Sequence, residues 1–252
     1  MGAFHEGHRS LMRQARRDND RVVVSLFVNP LQFGPHEDYA RYPRPFRQDC
    51  AIAHAESVDV LWVPTRQGMY PRGHATRVEV LRLGEPLCGR WRPGHFRGVA
   101  TIVAKLFGIV QPHRAYFGQK DAQQVIVIRR MVKDLHWPVT LRVLPTVRER
   151  DGLALSSRNA SLTAQQRQQA RQLFQALSLS RRLMRAGERR ASRVRQQTLA
   201  FLRRTPGVRV EYVELVDPRT LRPLRRLQGS VLVAVAAWVG RTRLIDNLVV
   251  HV

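Results

Sequence analysis

Short β-branched runs alternate with helical patterns through the first half of the chain, and this alternation constrains the fold more than any other feature. The periodicities predict buried strands at 21–28, 58–63, 115–118 and 139–144, and helices at 46–55, 98–110 and 121–135. Such alternation is typical of an α/β protein with a doubly wound, Rossmann-like parallel sheet.

The pattern changes after the Arg-Glu-Arg-Asp-Gly segment at 148–152. Two helices rich in Gln and Arg are predicted next, at 163–185 and 191–204. Three strands are predicted after them, at 208–216, 230–239 and 243–248. We therefore predict a Rossmann-like domain over 1–146, and a smaller C-terminal α+β domain over 147–252.

The chain carries 43 Lys and Arg against 19 Asp and Glu, a formal net charge of +24. Nearly all of the positive charge is arginine, spread from Arg9 to Arg243 without a cluster interleaved with aromatic residues. We interpret it as solvated faces, although the segment 181–204 is dense enough to bind polyanions nonspecifically. The sequence predicts no specific nucleic-acid partner.

Cys50 and Cys88 are too few for a disulfide framework, and neither has a metal-ligand spacing. The chain does not open with a basic and then apolar signal region, and its longest apolar stretch, 231–239, is too short to span a bilayer. We therefore expect a cytoplasmic protein with no membrane partner.

An H-x-G-H motif, His5-Glu6-Gly7-His8, stands at the start of a predicted helix. The amides and partial positive charge at a helix N-terminus suit a phosphate, and Gly7 allows a bound group to approach the backbone closely. Two imidazoles can donate to phosphate oxygens as charge develops on them. The alternative is a loop with two solvated histidines.

Polar residues follow two of the predicted strands, at the edge where open α/β sheets bind ligands. Asn29 and Gln32 follow the first strand, and an amide there suits a hydroxyl-rich or carboxylate ligand, although loop polarity alone would also explain it. Lys120 and Asp121 follow Gly118 and open a helix. Asp121 can cap that helix or accept from ribose hydroxyls, whereas Lys120 opposes the helix dipole unless an anion offsets it.

A small polar loop, Leu155-Ser156-Ser157-Arg158-Asn159, follows a glycine turn at Gly152. Two hydroxyls and a guanidinium can wrap a triphosphate and stabilise departing pyrophosphate, although an ordinary helix cap has the same composition. With the H-x-G-H motif, this loop forms the second half of a nucleotidylyl-transfer arrangement. The chain has no G-x-x-x-x-G-K-[ST] motif, no G-x-G-x-x-G after a strand and no G-x-S-x-G.

Seven blocks of sequence, in order over essentially the whole chain, resemble the pantoate–β-alanine ligase family, also called the pantothenate synthetase family. They are 1–8, 27–33, 42–44, 92–99, 117–121 with Gln123 and Gln124, 151–159, and 236–238 with 244–247. Arg-Pro-Gly-His-Phe at 92–96 together with Leu-Ser-Ser-Arg-Asn at 155–159 is a specific combination. The alternatives are another H-x-G-H nucleotidylyltransferase, which would not need Gln32, Gln124 and the 92–96 segment, or a basic nucleic-acid-binding protein, which would explain none of the spacings.

The resemblance implies an enzyme, a ligase that forms a carbon–nitrogen bond and uses ATP as a substrate together with Mg²⁺. Pantoate would attack the α-phosphorus of ATP to give pantoyl adenylate and pyrophosphate, and β-alanine would then displace AMP. A pantoate carboxylate is already ionised near neutral pH, so the first step needs alignment and charge neutralisation rather than a strong base. The resemblance also implies that the 1–146 domain binds ATP and pantoate, that the 147–252 domain is a lid, and that the protein is a homodimer.

The resemblance further implies roles for individual residues, with His8 as proton donor and His5 as its phosphate-binding partner. The catalytic residues would be His5, His8, Lys120 and Arg158. Pantoate would be bound by Gln32 and Gln124, with Gln32 also near the β-alanine site. ATP would be bound by Met1, Gly2, His5, His8, Gly118, Gln119, Lys120, Asp121, Val147, Leu155, Ser156, Ser157 and Arg158.

The chain departs from the family pattern in three places. Members normally have about twenty-five residues before this point, with a first strand ending in Pro-Thr, and the loss of that strand would expose an edge of the central strands. We therefore expect upstream in-frame codons for that strand, and low stability and weak activity without it. Cys88 and Gln119 stand where many members have glutamates, so Mg²⁺ is expected to be held chiefly by ATP phosphates and water.

Overall fold

The computed structural model describes residues 2–35 and 37–252, which form two compact units. The first unit contains the chain up to Gly118 together with Gln123–Pro145, and the second contains Gln119–Ala122 and Thr146–Val252. The short Gln119–Ala122 segment therefore belongs to the same unit as the C-terminal part of the chain, although its sequence neighbours belong to the first unit. The lid role expected of the second domain stays a prediction.

Among the described residues of the first unit, six helices and four short strands alternate, as expected of an α/β protein. In chain order they are α1 Glu6–Asp18, β1 Val23–Ser25, α2 Phe46–Ala55, β2 Val60–Trp62, α3 Arg66–Met69, α4 Cys88–Trp91, α5 His95–Val110, β3 Arg114–Gly118, α6 Ala122–Asp134 and β4 Thr140–Leu144. In the described part of the chain, no helix is long and apolar enough to cross a membrane.

The four strands form two parallel pairs. Strand β1 pairs with β2, with Val23 opposite Val60, and β3 pairs with β4, with Arg114 opposite Thr140. The prediction that these four strands are buried is wrong, because Val23 is 41% exposed, Val60 is 49% exposed, and every residue of β3 and β4 is half-buried or exposed. Strands β1 and β2 have only three residues each, and among the described residues no third strand pairs with either of them. The α/β class with parallel strands is confirmed.

Helix α1, which begins within the H-x-G-H motif, is fixed in the first unit by packing and by charge. Its Met12 is buried with Phe4 and Leu26 in one apolar cluster. The Glu56 side chain is only 5% exposed and accepts from Arg9 at 2.5 Å and Arg13 at 3.1 Å. A buried carboxylate is stable only when it is paired in this way, so Glu56 ties α1 to the end of α2.

The second unit packs three helices on one antiparallel sheet, which confirms the predicted smaller α+β domain. Its elements are α7 Ala164–Ala170, α8 Gln172–Arg185, α9 Ala191–Arg203, β5 Val208–Val216, β6 Ser230–Val239 and β7 Thr242–His251, with strand order β5-β6-β7. The helix predicted at 163–185 is thus interrupted at Arg171. Central strand β6 is buried continuously over Val231–Ala237, and its side chains join α8 and α9 in one core.

Helix α5 carries two glycines that offer a matched test of close packing. A Cβ on Gly98 would lie 2.2 Å from the carbonyl oxygen of Leu31 and 2.7 Å from the amide nitrogen of Gln32, whereas a Cβ on Gly108 would meet nothing within 4 Å. We predict that Gly98→Ala lowers the free energy of unfolding by about 1–3 kcal/mol through overpacking. Gly108→Ala should instead raise it by about 0.5–1 kcal/mol, because alanine favours helix. Urea unfolding of both variants measures the difference, and equal effects would contradict the close packing.

Candidate active site

The two histidines of the H-x-G-H motif cap helix α1 reciprocally. The amide of Gly7 donates to His5 Nδ1 at 3.1 Å, and the amide of His5 donates to His8 Nδ1 at 3.3 Å. A backbone N–H can only donate, so both Nδ1 atoms are acceptors and each neutral ring carries its proton on Nε2. With ring centroids 4.1 Å apart, the pair offers two Nε2–H donors side by side.

Three of the first backbone amides of α1 donate hydrogen bonds to the ring or the carbonyl oxygen of His5. Gly7 donates to its ring, and His8 and Arg9 donate to its carbonyl oxygen at 2.8 and 3.1 Å. The anion-binding character of this helix start therefore resides in the imidazole Nε2 atoms more than in these three amides. Met1, which the sequence predicts to bind ATP, lies outside the described residues.

The backbone just before the motif is held by a buried carboxylate that sequence reasoning missed. Asp49 in the first turn of α2 is 1% exposed, and it accepts from the amides of Ala3 at 2.8 Å and Phe4 at 2.7 Å. Gly2 precedes them with φ +121°, in the region that favours glycine. An acidic residue early in a helix is common, so no local signal pointed to Asp49.

Gln32 lies in a 3₁₀ turn and is oriented by Asn29. Asn29 is 1% exposed, and its amide nitrogen donates to Gln32 Oε1 at 3.2 Å and to the Gly98 carbonyl at 3.0 Å. Its oxygen accepts from the Tyr70 hydroxyl at 2.7 Å and the Leu31 amide at 3.3 Å. Burial raises the pKa of Tyr70 to about 12, so the hydroxyl stays protonated and donates. These contacts fix the rotation of both amides.

The Arg-Pro-Gly-His-Phe segment holds the same turn through its backbone. The carbonyl of Gln32 accepts from His95 Nδ1 at 2.7 Å and from Arg92 at 3.1 Å. Arg92 is held in turn by Glu37, and it contacts His95 Nε2 at 3.1 Å. Burial raises the pKa of Glu37, but hydrogen bonds and charge from Arg92 outweigh it and leave this pKa below its usual value. The segment is thus a support for Gln32.

The first turn of α6 carries two adjacent glutamines with different environments. Gln123 is buried, accepts from the Cys88 amide at 3.0 Å and donates to the carbonyls of Leu83 at 3.0 Å and Pro86 at 2.7 Å. Gln124, the predicted pantoate ligand, is half-buried beside it. Cys88 is therefore a buried residue at the start of α4, held through its backbone.

In the second unit, Asn247 of β7 holds the Gln119–Asp121 turn. Its amide nitrogen donates to the carbonyls of Gln119 at 3.1 Å and Lys120 at 2.8 Å, and its oxygen accepts from Gln119 Nε2 at 3.1 Å. A glutamate in place of Gln119 could not donate this last bond. Lys120 Nζ lies 3.6 Å from Asp121 Oδ1. Asn247 is separated from its partners by 127 and 128 residues, so local pattern did not predict its role.

A buried ion pair lies next to Asn247, the residue that holds the Gln119–Asp121 turn. Arg148 contacts both carboxylate oxygens of Asp246 at 2.6 and 2.9 Å, donates to the Gly152 carbonyl at 3.1 Å, and stacks on the Phe174 ring. Asp246 is 4% exposed. Burial raises its pKa, and the hydrogen bonds and charge of Arg148 oppose that rise. The pair fixes the strand position next to Asn247.

The Ser-Ser-Arg loop follows a tight hairpin in which the Leu155 amide donates to the Val147 carbonyl at 3.0 Å. Ser156 caps the 3₁₀ turn Ser157–Ser161 by accepting from the Arg158 amide at 3.3 Å. The structure brings Ser156 and Asn159 of this loop to Lys120, because all three line one small pocket within the second unit, whereas Ser157 and Arg158 are not among its lining residues. Its polar lining residues are Lys120, Ser156, Asn159 and Asp246.

The described residues thus form two groups of donors suited to an anionic substrate: the paired imidazoles in the first unit, and Lys120 with the Ser156 hydroxyl at one pocket of the second. Such donors on an α/β fold are typical of enzymes that act on phosphate-bearing substrates such as nucleotides. Comparison with known proteins specifies that class further.

Residues 1–249 match the protein family described as pantoate-β-alanine ligase. The chain is 55% identical over 252 residues to the pantothenate synthetase of Moorella thermoacetica, covering 100% of this chain and 89% of that protein. It is 55% identical over 249 residues to the pantothenate synthetase of Thermotoga neapolitana, covering 99% and 89%.

Solved structures agree with the sequence relatives. Pantothenate synthetase from Thermus thermophilus superposes with a TM-score of 0.97 at 48% identity, covering 100% of this chain and 91% of that one. The Francisella tularensis pantoate-β-alanine ligase, solved with β-γ ATP and β-alanine, gives 0.80 at 35% identity, covering 98% and 86%. The chain belongs to the pantoate-β-alanine ligase family.

We predict that Arg148→Met lowers the free energy of unfolding by about 3–5 kcal/mol, because it leaves the Asp246 carboxylate buried without its partner. The native-state pKa of Asp246 then rises further above its unfolded value, so protonation stabilises the variant and its deficit shrinks as the pH falls. Urea unfolding at pH 5 and pH 8 tests both statements. Arg130→Met removes the exposed Arg130–Asp134 pair and should cost less than about 0.5 kcal/mol. A deficit that grows toward acid would contradict this account.

Proposed function

We propose that this chain condenses pantoate with β-alanine at the expense of ATP, through a pantoyl-adenylate intermediate. A pantoate carboxylate oxygen attacks the α-phosphorus and pyrophosphate leaves. The β-alanine amine then attacks the acyl carbon, loses a proton and expels AMP, which forms the amide bond. The observation that carries the proposal is the family match over residues 1–249, within which the paired imidazoles and the Lys120 pocket have the donors that this chemistry needs.

In the first step, His5 and His8 donate from Nε2 to phosphate oxygens. Their Nδ1 atoms are already engaged by backbone amides, so the donors are oriented before substrate binds. Preorganised donors stabilise charge that develops in the transition state at no cost of reorientation. The part of His8 as a donor is therefore hydrogen-bond donation from Nε2, because a neutral imidazole does not release its remaining ring proton.

Lys120 and Arg158 neutralise the triphosphate and the departing pyrophosphate, while the hydroxyls of Ser156 and Ser157 donate to its oxygens. The nucleotide also contacts the backbone and side chains around this pocket and the first loop. These contacts come from Gly2, Gly118, Gln119, Asp121, Val147 and Leu155. Because Asn247 fixes the Lys120 carbonyl, the lysine starts from a defined backbone position.

Gln32 and Gln124 bind pantoate, and Gln32 also contributes to the β-alanine site. Primary amides donate and accept at once, which suits a substrate with hydroxyl and carboxylate groups. Asn29 holds Gln32 Oε1, so the orientation of the Gln32 amide is set by the protein and not by the ligand.

Mg²⁺ enters as part of the nucleotide substrate. Among residues 2–35 and 37–252, no group of three or more His, Cys, Asp or Glu could hold a metal ion. We propose that phosphate oxygens and water hold the ion. The carboxylate of Asp121, beside the proposed triphosphate ligand Lys120, lies 3.6 Å from the ammonium of that lysine. We further propose a cytoplasmic homodimer, which light scattering of the purified chain tests for its subunit number.

An omission assay tests the function directly. Pyrophosphate release is followed with Mg-ATP, pantoate and β-alanine, each left out in turn. The proposal predicts release that requires ATP and pantoate, about one equivalent per site without β-alanine, and multiple turnovers with it. Release independent of pantoate would indicate another nucleotidylyltransferase, and no release at all would contradict the proposal.

We predict that His8→Ala slows adenylate formation by about 10²–10⁴-fold, or about 3–5 kcal/mol in the barrier, because one preorganised donor is lost. Rapid-quench measurement of pyrophosphate release gives the rate. His54→Ala is the control, since His54 is exposed on α2. A His8 variant with wild-type rate would remove this residue from the mechanism.

We predict that substitutions in the two units affect different substrates. Lys120→Ala and Ser157→Ala should raise mainly the KM for ATP, because they remove contacts with charged phosphates. Gln124→Ala should raise mainly the KM for pantoate, because it removes neutral hydrogen bonds. Steady-state kinetics with each substrate varied separates the two effects. Parallel increases for both substrates in all three variants would argue against this division of roles.

A further inference from the structure

Asp49 is a buried carboxylate whose partners are the two residues before the histidine pair. Its oxygens accept from the amides of Ala3 at 2.8 Å and Phe4 at 2.7 Å, and the residue is 1% exposed. Removing a carboxylate from water is costly unless its oxygens are hydrogen-bonded. The position of the 2–4 backbone is therefore strongly constrained by Asp49.

The backbone that Asp49 holds has an unusual conformation. Gly2 has φ +121° and Ala3 has φ +52°, so two consecutive residues lie at positive φ. A Cβ on Gly2 would lie 3.2 Å from Asp49 Oδ2 and 2.8 Å from Leu26 Cδ1, so the chain passes close to both. A non-glycine residue such as Ala3 keeps this conformation only where its surroundings stabilise it.

The histidine pair begins directly after this segment. Phe4 is 7% exposed, and its ring centroid lies 5.5 Å from that of His8. The next residue is His5, whose amide and ring form the reciprocal cap. A shift of the Phe4 amide would displace the His5 amide, the donor on which the His8 tautomer depends.

We propose that Asp49 is a positioning residue for the histidine pair: by holding the amides of Ala3 and Phe4 it keeps both rings in the Nε2–H tautomer and side by side. Its effect on catalysis rests on the function proposed above, whereas its effect on the rings does not. Asp49 acts through the backbone and does not touch substrate.

Glu56 provides a matched control. It is also a buried carboxylate at α2, with a side chain that is 5% exposed, and it also binds α1. Its partners, however, are the side chains of Arg9 and Arg13, beyond the histidines. A general loss of docking between α1 and α2 should therefore result from either substitution, and a loss of histidine geometry only from the change at Asp49.

The experiment compares Asp49→Asn and Glu56→Gln with the wild-type chain. Nitrogen-15 chemical shifts of the imidazoles, assigned with His5→Ala and His8→Ala, report which ring nitrogen carries the proton in the substrate-free protein. In Asp49→Asn one acceptor oxygen becomes an NH₂ group that faces the amide of Ala3 or Phe4, so this backbone shifts and we expect the Nδ1–H form to appear at His5 or His8. We also expect kcat for pyrophosphate release to fall about 10- to 100-fold with a smaller change in the KM for ATP. Glu56→Gln should keep both tautomers and change kcat less than about threefold.

Unchanged Nε2–H tautomers at both rings in Asp49→Asn would overturn the proposal, whatever the activity. If Asp49→Asn does not fold, amide hydrogen exchange of the wild-type chain decides: protected amides at Ala3 and Phe4 support the proposal, and exchange at the free rate overturns it. A wild-type chain without pantoate-dependent pyrophosphate release would defeat the proposed function alone, because the imidazole shifts are measured without substrate.

Discussion

A backbone N–H can donate a hydrogen bond but cannot accept one, and this constraint sets the chemistry of the H-x-G-H motif. The amides of Gly7 and His5 each donate to an imidazole Nδ1, which leaves both ring protons on Nε2. Capping the helix and presenting donors to an anion are thus one arrangement. The amide of Gly7 makes the first of these bonds from within the first turn of the helix, and the two ring centroids lie 4.1 Å apart.

Around this pair, and around the Lys120 pocket, the supporting groups are buried and polar, and they come from distant parts of the sequence. Asp49 holds the backbone before His5, Asn29 holds the amide of Gln32, and Asn247 holds the carbonyl of Lys120. Each such group is costly to bury without its partners, so its presence requires a defined geometry. The residues proposed to contact substrate can then be flexible side chains on short turns, because hydrogen bonds from these buried groups hold the turns in place.

Periodicity predicted most of the regular structure. The helix at 46–55 and the strands at 208–216 and 230–239 have the predicted ends, since their patterns are long and bounded by Pro, Gly or charged residues. Strands β1 and β2 are shorter and more exposed than predicted, because burial depends on neighbouring strands that no local pattern specifies. The family followed from motif order and is confirmed. Asp49 and Asn247 were missed as supports, because their partners are 45 and more than 120 residues away.

Transfer of an oxygen isotope tests the central claim, that the carboxylate of pantoate attacks the α-phosphorus of ATP. Pantoate labelled with ¹⁸O in its carboxylate is turned over with ATP and β-alanine, and the products are separated and weighed by mass spectrometry. Formation of the adenylate followed by expulsion of AMP leaves one labelled oxygen in AMP and the other in the amide carbonyl of the product. Label in inorganic phosphate, or AMP without label, would show that the carboxylate is activated in another way and would contradict the account.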